Sequence, residues 1–352
     1  MKNTDGPSYK GRMAATVSRR KVLRVGGLFA LGAVALPPLL AACGGDDSTS
    51  GTSTAAGTKP APTGPTPALP TVAGAAAAST GGSISAGPVT VKAHEIDSVF
   101  VLDVDRQAVT AGDVTFNFSN TGKLTHELMV YPVQDIAAMQ ALKRKGKDVD
   151  EGDYIKGMVG KAEDIEPGKS ATFSGKLAPG FYELACHAKG QNPDGSTFLH
   201  FDKGQTMTLA AVGAGGPAAS VLTPSNTIAV EMAPGTGVLK DSWLFVPDHL
   251  VAKAGDVTFN VSNKMDMEHD FVVYPLGDVS TFINHRFAGK EDYGEIKGEA
   301  IIDALAAGKS ASATKKLTPG WWIAACFVVS RLPDGTAFVH RDKGQRFTFL
   351  AV

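Results

Sequence analysis

The sequence contains little cysteine, almost no net charge and no long uninterrupted apolar run. Only three cysteines occur in 352 residues, so each of them requires an explanation of its own. The formal net charge of −1 at pH 7 gives no reason to expect nucleic acid or another strongly charged partner. Residues 25–40 are mostly apolar, but two prolines interrupt the run, which is too short to favour a stable membrane span.

Residues 1–42 have the features of a leader rather than of a folded domain. Within them, Ser-Arg-Arg-Lys-Val-Leu at 18–23 resembles the twin-arginine export signal of bacteria. The sequence Leu-Ala-Ala-Cys at 40–43 resembles a lipoprotein lipobox, which implies cleavage before Cys43 and acylation of its thiol. A plain secretory leader with an incidental cysteine is the alternative. We therefore expect an extracytoplasmic protein, anchored to the bacterial cell membrane by an N-terminal lipid.

Residues 43–86 consist of this cysteine followed by a stretch composed almost entirely of Gly, Ser, Thr, Ala and Pro. Such a composition cannot bury a core and predicts a disordered tether. About forty residues of flexible coil would hold the remaining chain roughly 35 Å from the membrane. A tethered module of this kind suits a protein that docks with membrane-associated partners.

The remainder of the chain contains one long internal repeat. Three motifs recur in the same order: Ala-Gly-Asp-Val-Thr-Phe-Asn at 111–117 and 254–260, Val-Tyr-Pro at 130–132 and 273–275, and Gly-Lys-Ser at 168–170 and 308–310. A repeat of this length indicates a duplicated domain rather than a solenoid unit. The predicted units are a first domain at 87–212, a linker at 213–223 and a second domain at 224–352.

Each copy has the pattern of an all-β domain. Apolar and polar side chains alternate along residues 114–118, as they do in a strand with one buried face. Turn signals recur every few residues, and this spacing predicts two tandem antiparallel β-sandwich domains with Greek-key connections. Apolar residues at helical spacing in 135–144, and more weakly in 280–287, predict a short helical insertion packed outside each sandwich.

Both copies carry one cysteine, two histidines and one glutamine in the same order. These residues are His126, Cys186, His200 and Gln205 in the first copy, and His269, Cys326, His340 and Gln345 in the second. One thiolate and two imidazoles with a weak fourth ligand form the constellation of a blue-copper electron-transfer site. A thiolate also needs a nearby metal ion to stay deprotonated at neutral pH. The sequence therefore predicts two such metal sites.

With this ligand order, both copies resemble the cupredoxin family of type 1 blue-copper proteins, which includes plastocyanin, azurin and the phytocyanins. The resemblance implies copper, as Cu(I) and Cu(II), at two type 1 sites. The segments His-Phe-Asp-Lys-Gly-Gln at 200–205 and His-Arg-Asp-Lys-Gly-Gln at 340–345 resemble the phytocyanin ending, in which a glutamine oxygen replaces the axial methionine. Met207 is the competing axial candidate, but its counterpart Phe347 cannot bind a metal.

The resemblance has two departures. Thirteen residues separate Cys186 from His200, and the same number separates Cys326 from His340, which is longer than in most single-domain cupredoxins. Both loops contain Pro-Asp-Gly and are predicted to form a hairpin over the metal site. The phytocyanins also have a disulfide, for which this sequence has no spare cysteines.

The same residues also allow simpler interpretations. Cys186 and Cys326 could be inert core residues, or could form an interdomain disulfide in an oxidising compartment. His126 and His269 could be structural histidines that form hydrogen bonds. None of these interpretations explains why the same four residue types occur together twice.

His187 follows Cys186 directly, whereas Phe327 occupies the corresponding position of the second copy. In multicopper oxidases and nitrite reductases, a histidine beside the copper cysteine can bridge to a second copper. Those enzymes need several more histidines, whereas this chain has eight and no His-x-His pair. We therefore interpret His187 as an exposed residue near the site, and we predict that the chain is not an enzyme. The other histidines, His94, His249 and His285, are interpreted as surface residues.

The sequence thus predicts a membrane-tethered electron carrier with two type 1 copper sites, which shuttles single electrons between redox partner proteins and binds no nucleic acid. A two-domain copper enzyme of the nitrite reductase or multicopper oxidase type is one alternative. An envelope protein that binds or delivers copper is another.

Overall fold

The computed structural model describes residues 84, 87–192, 195–287 and 300–352. The predicted leader 1–42, Cys43 and all of the predicted tether except residue 84 lie outside the described residues. The described residues belong to one compact unit, Pro70–Val352. None of the described helices is long and apolar enough to cross a membrane.

Most of the described secondary structure is β-strand, and the strands follow the internal repeat. The first series is β1 (Val89–Ile96), β2 (Val99–Val104), β3 (Ala108–Thr110), β4 (Gly112–Asn120), β5 (His126–Pro132), β6 (Gly160–Ile165), β7 (Ser170–Leu177), β8 (Gly180–Ala185), β9 (Lys189–Gln191), β10 (Thr197–Leu199) and β11 (Thr206–Val212). The second series is β12 (Thr227–Pro234), β13 (Trp243–Pro247), β14 (Val251–Ala252), β15 (Gly255–Asn263), β16 (His269–Pro275), β17 (Ala300–Leu305), β18 (Ser310–Leu317), β19 (Gly320–Ala325), β20 (Val329–Arg331), β21 (Ala337–Val339) and β22 (Arg346–Ala351).

Each series folds into two sheets and a small hairpin. The first sandwich has the sheets β2-β1-β4-β7 and β3-β11-β8-β5-β6, and the second has β13-β12-β15-β18 and β14-β22-β19-β16-β17. The predicted all-β architecture of two tandem Greek-key sandwiches is confirmed. The sheets are not wholly antiparallel, since β1 pairs with β4 and β3 with β11 in parallel, as do their counterparts in the second sandwich. The boundaries 87–212, 213–223 and 224–352 remain predictions.

The helical insertions lie where the apolar spacing predicts them. Helix α1 spans Ala137–Arg144 and helix α2 spans Ser280–Phe287. The carboxylate of Asp135 accepts the Ala137 N–H at 2.9 Å, which satisfies one of the free donors at the start of α1. Short 3₁₀ helices lie at Glu151–Asp153, His200–Lys203, Ala219–Leu222, Gly237–Leu239 and His340–Lys343.

Strand β5 shows how the two faces of one sheet are used. Leu128 and Val130 pack into the core between the two sheets, whereas Met129 and Tyr131 pack on the opposite face with Met139 of α1. This alternation follows from the two-residue period of a strand. Each fully buried side chain of this size contributes about 1.5–3 kcal/mol. Helix α1 therefore lies outside its sandwich, as predicted.

The two sandwiches contact each other along equivalent elements. Thr208 of β11 and Thr348 of β22 exchange hydrogen bonds, because the N–H of each donates to the hydroxyl of the other at 2.6 and 2.9 Å. Both threonines are buried. Two further backbone bonds of 2.8 Å repeat the same symmetry, from Ile136 to the Asp342 carbonyl and from Val279 to the Asp202 carbonyl.

A buried charge cluster lies in this interface. The Asp202 carboxylate accepts from Arg341 Nη1 at 2.8 Å and from Arg144 Nε at 2.8 Å, and Arg144 Nη1 also donates to Asp342 at 2.6 Å. Arg346 of β22 donates to Glu183 of β8 through Nε at 2.7 Å and also through Nη2. Because these charges are removed from water, removing one partner leaves the other uncompensated.

This interface yields a stability prediction. The substitution Glu183→Ala leaves the Arg346 guanidinium buried without its carboxylate and is expected to lower the free energy of unfolding by about 3–5 kcal/mol. Chemical denaturation of the metal-free chain measures it. The matched control Glu163→Ala removes an exposed partner of Lys161 and should change stability by less than about 1 kcal/mol. Equal denaturation midpoints for the two variants would show that the buried pair is not needed.

Candidate metal centre

Neighbouring strands bring the predicted ligands to one edge of each sandwich. His126 begins β5 and Cys186 follows β8, and these strands pair antiparallel, with Met129 opposite Ala185. Gln205 immediately precedes β11, which pairs with the other side of β8. His200 begins the short helix that connects the β9–β10 hairpin to β11.

The turn between the second histidine and the glutamine depends on glycine. Gly204 has a φ of 105° and Gly344 a φ of 110°, in the left-handed region that favours glycine. This turn ends the 3₁₀ helix and places the next residue at the start of the last strand. The Gly-Gln pair of each repeat is thus the local reason why the glutamine lies beside its histidine.

In the first sandwich, four predicted residues meet in a buried cluster. His126 Nδ1 lies 3.2 Å from His200 Nδ1, and Cys186 Sγ lies 3.4 Å from His200 Nδ1. Gln205 Oε1 lies 3.0 Å from His126 Nδ1. None of the four side chains is more than 2% exposed. The ligand atoms of the histidines and cysteine all lie within 4.8 Å of one another, so one ion could contact all three.

The second sandwich repeats this arrangement. His269 Nδ1 lies 3.0 Å from His340 Nδ1, and Cys326 Sγ lies 3.6 Å from His340 Nδ1 and 3.9 Å from His269 Nδ1. Gln345 is fully buried, and neither of its amide atoms has a hydrogen-bond partner among the described residues. A buried amide without a partner is costly. A metal ion in the cluster would give its oxygen a partner.

The two sulfurs have matching surroundings. The Glu127 N–H donates to Cys186 Sγ and the Asp270 N–H to Cys326 Sγ, both at 3.4 Å. Burial raises the pKa of both thiols well above the usual range. Deprotonation therefore requires a cation beside the sulfur. Both cysteines are free, so the alternative of an interdomain disulfide is excluded.

The imidazoles are neutral ligands. Burial lowers the pKa of His126, that of His200 to about 3, that of His269 to about 4, and that of His340 well below its ordinary value. A neutral imidazole is the form that binds metal ions. One sulfur, two imidazole nitrogens and an amide oxygen are a donor set suited to copper. The residues present therefore fit the metal that the resemblance implies.

Gln205 and Met207 differ in where they lie. Met207 packs into the core between the sheets with Leu128 and Leu184. Gln205 donates through Nε2 to the Val101 carbonyl at 3.4 Å, which leaves its Oε1 directed at the cluster. The geometry favours Gln205 as the fourth ligand.

The prediction that His187 is exposed is wrong. Its side chain is fully buried, and its Nε2 lies 2.7 Å from the Tyr131 hydroxyl and its Nδ1 lies 3.0 Å from Gln140 Nε2. His187 follows Cys186 directly and packs on the opposite side, under α1, against Phe201. The signal in the sequence was its counterpart Phe327, since a phenylalanine at the equivalent position indicates burial. Of the other histidines, His94 and His249 are partly exposed, and the side chain of His285 is outside the described residues.

The sequence did not reveal Glu95 or the aromatic cover of the clusters. Glu95 Oε1 lies 2.9 Å from His126 Nε2. The ring of Phe100 lies 4.5 Å from that of His200, and the ring of Trp243 lies 4.6 Å from that of His340. The predicted hairpins are present as β9–β10 and β20–β21.

A hydrogen bond joins the residues that follow the second histidine of each cluster. Phe201 follows His200, and Arg341 follows His340. Arg341 Nη2 donates to the Phe201 carbonyl at 3.1 Å, and its guanidinium lies 4.2 Å from the Phe201 ring centroid. Residues adjacent to the second histidine of each cluster therefore also form the contact between the sandwiches.

No protein-family model and no curated protein matches the sequence. Among solved structures, the chain is similar to a dithionite-reduced auracyanin of Roseiflexus castenholzii, with 16% identity over 37% of this chain and 100% of that chain and a TM-score of 0.27. It is also similar to a multicopper oxidase, with 12% identity over 75% of this chain and 88% of that chain, TM-score 0.24. A copper nitrite reductase from Nitrosomonas europaea matches with 13% identity over 75% and 93% of the two chains, TM-score 0.24. All three TM-scores lie below 0.5, so the description of the fold rests on the sheet order itself.

The prediction that the chain is not an enzyme is contradicted and is withdrawn. Two of the solved structures that match three quarters of the chain are, by name, an oxidase and a reductase. At these TM-scores the likeness assigns no reaction to this chain.

The lowered histidine pKa values give a testable pH dependence. In the metal-free chain, His200 and His269 are expected to stay neutral as the pH falls from 7 to 5, because their pKa values lie at about 3 and 4. Ring ¹⁵N shifts recorded across this range should stay constant. In denaturant, the same rings should titrate near the ordinary value of about 6.5. A transition of the His200 or His269 ring near pH 6.5 in the folded chain would contradict the buried, uncharged cluster.

Proposed function

We propose that this chain is an electron-transfer protein with two type 1 copper sites. The proposed ligands are His126, Cys186, His200 and Gln205 at the first site, and His269, Cys326, His340 and Gln345 at the second. The observation that carries the proposal is the convergence of one sulfur and two imidazole nitrogens within 4.8 Å in both sandwiches. Copper, when bound, supplies a one-electron couple between Cu(I) and Cu(II).

The arrangement of the ligands supports electron transfer. Each ligand is adjacent to or part of a strand or short helix of a tightly packed sandwich, so its position is fixed before metal binds. Phe100 and Trp243 cover the second histidines and restrict water at the clusters. A rigid, dry site of this kind requires little rearrangement when the charge of the metal changes.

The glutamine oxygen sets the expected range of reduction potential. In both sites an amide oxygen would be the fourth ligand, and this oxygen is harder than the sulfur of methionine. A harder oxygen ligand favours Cu(II) and lowers the reduction potential relative to a methionine ligand. The unpaired amide of Gln345 supports this assignment in the second site.

The cellular setting is part of the proposal. The lipobox-like sequence at Cys43 and the twin-arginine-like signal support an extracytoplasmic protein that a lipid anchors to the bacterial membrane. The low-complexity stretch before residue 87 supports a tethered module. Its partners would be redox proteins, including membrane-associated ones.

The function is tested by loading the purified chain with copper. Two coppers per chain are expected, with an intense thiolate-to-copper absorption and the narrow copper hyperfine splitting of type 1 sites in electron paramagnetic resonance. Cys186→Ser and Cys326→Ser should each remove one of the two coloured sites and about half of the absorption, because each thiolate belongs to one site.

Cys43→Ser is the matched control, since it removes the third cysteine and should leave both coloured sites unchanged. Stoichiometric binding of copper without the intense absorption would contradict type 1 sites. Preferential retention of zinc, which also accepts sulfur and imidazole ligands, would indicate a different metal.

A further inference from the structure

The first histidines of the two clusters differ in a hydrogen-bonded carboxylate. His126 turns Nδ1 towards the cluster, and its Nε2 lies 2.9 Å from Glu95 Oε1. Because a carboxylate oxygen accepts, the tautomer with the proton on Nε2 donates to it. The Glu95 side chain is only 13% exposed. Both of its oxygens accept hydrogen bonds from backbone N–H groups, an arrangement that favours the ionised form. The group facing His126 is therefore a carboxylate.

The position of Glu95 is fixed by the loop before β5. The N–H groups of Lys123 and Leu124 donate to its two oxygens at 2.8 and 3.0 Å. Gly122 allows this close approach, since a Cβ there would lie 2.5 Å from Glu95 Oε2. The loop backbone therefore holds the Glu95 carboxylate in place, and this fixes its contact with His126.

Among the described residues of the second sandwich, no carboxylate forms a hydrogen bond to the first histidine. Ala93 pairs with Asn120 in the first sandwich as Met232 pairs with Asn263 in the second, so Glu95 corresponds to Pro234 two residues further along. Proline offers no carboxylate. His269 Nε2 is buried and has no hydrogen-bond partner among the described residues.

The surroundings of the two first histidines are otherwise closely matched. Phe100 lies 6.1 Å from the His126 ring, and Trp243 lies 5.9 Å from the His269 ring. Asn120 and Asn263 each donate to two equivalent carbonyls at 2.7–2.9 Å and hold equivalent turns. The Asp266 carboxylate acts on His269 through space only, whereas Glu95 is the one carboxylate among the described residues that forms a hydrogen bond to a first histidine.

The second histidines differ less in charge. His340 Nε2 lies 2.8 Å from the Ser330 hydroxyl, and Gly190 occupies the equivalent position of the first hairpin. A hydroxyl is neutral, so its effect on the two oxidation states is smaller than that of a carboxylate.

A carboxylate that accepts the outer N–H of a ligating imidazole makes that imidazole a stronger donor. Its negative charge also stabilises the more highly charged metal ion, and partial burial limits screening by solvent. Both effects favour Cu(II) over Cu(I). An imidazole whose N–H is buried without an acceptor is a weaker donor and favours Cu(I) by comparison.

We propose that Glu95 is a positioning residue that makes the first site the lower-potential centre of the pair, so that electrons pass from the first sandwich to the second. This inference rests on the proposed function. The Phe201–Arg341 hydrogen bond supplies a short connection between the two sets of ligands. The electron donor accordingly reduces the first sandwich, and the electron acceptor oxidises the second.

The test compares reduction potentials in the full chain with one copper site at a time. The variant Cys326→Ser keeps the first site, and Cys186→Ser keeps the second. Spectroelectrochemical titration is expected to give the lower potential for the first site. Adding Glu95→Gln, which keeps the shape but removes the charge, should lower the Cu(II)/Cu(I) affinity ratio of the first site about tenfold, which is a rise of about 59 mV.

The matched control is Glu95→Gln combined with Cys186→Ser, where the potential of the second site should not change. Glu95→Ala removes the acceptor altogether and should change the first site at least as much. A first site with a potential equal to or above that of the second would overturn the inference, as would a first site unaffected by either substitution.

A readout without copper separates this inference from the proposed function. In the metal-free chain, the ¹⁵N shift of His126 Nε2 should show a proton donated to a carboxylate, and Glu95→Gln should move it. If that signature is present and no type 1 copper binds, the proposed function fails and the direction of electron flow fails with it. If both sites bind copper with equal potentials, only the inference about Glu95 fails.

Discussion

The structure depends on the burial of one sulfur and two imidazole nitrogens at the same edge of each sandwich. Strands β5, β8 and β11 are neighbours in one sheet, so His126, Cys186 and Gln205 meet at their ends without any long loop having to position them. Burial disfavours a charge on the sulfur and on the imidazoles. A thiolate can exist there only beside a cation, so the cluster is neutral without metal and its sulfur loses its proton only when a cation is present.

The second constraint is the contact between the sandwiches. The residues that follow His200 and His340 form both the end of each cluster and the charged centre of the interface, through Asp202 and Arg341. Duplication explains the paired backbone and threonine contacts, which occur in equivalent positions. Arg346 and Glu183 form a bond without a symmetric counterpart among the described residues. The two sites are therefore parts of one assembly and are not identical.

The repeat predicted most of the candidate site because chemistry that recurs at fixed spacing is visible in a single sequence. It also predicted both sandwiches and both helices, since turn spacing and apolar periodicity are local signals. The prediction from the repeat was wrong or incomplete at positions where the two copies differ. His187 was misplaced because only its alternation relative to Cys186 decides which face it occupies. Glu95 was missed because it comes from a distant strand and has no counterpart in the second copy. The parallel pairs β1–β4 and β3–β11 depend on long-range topology, which local patterns do not specify.

The central claim is that a single ion is held by one sulfur and two imidazoles in each sandwich. X-ray absorption at the copper edge of the fully loaded wild-type chain tests it most directly, because the spectrum reports the ligand atoms themselves. The account predicts one short copper–sulfur distance and two imidazole nitrogens per copper, with two coppers per chain. Copper surrounded only by nitrogen and oxygen, with no sulfur ligand, would contradict it.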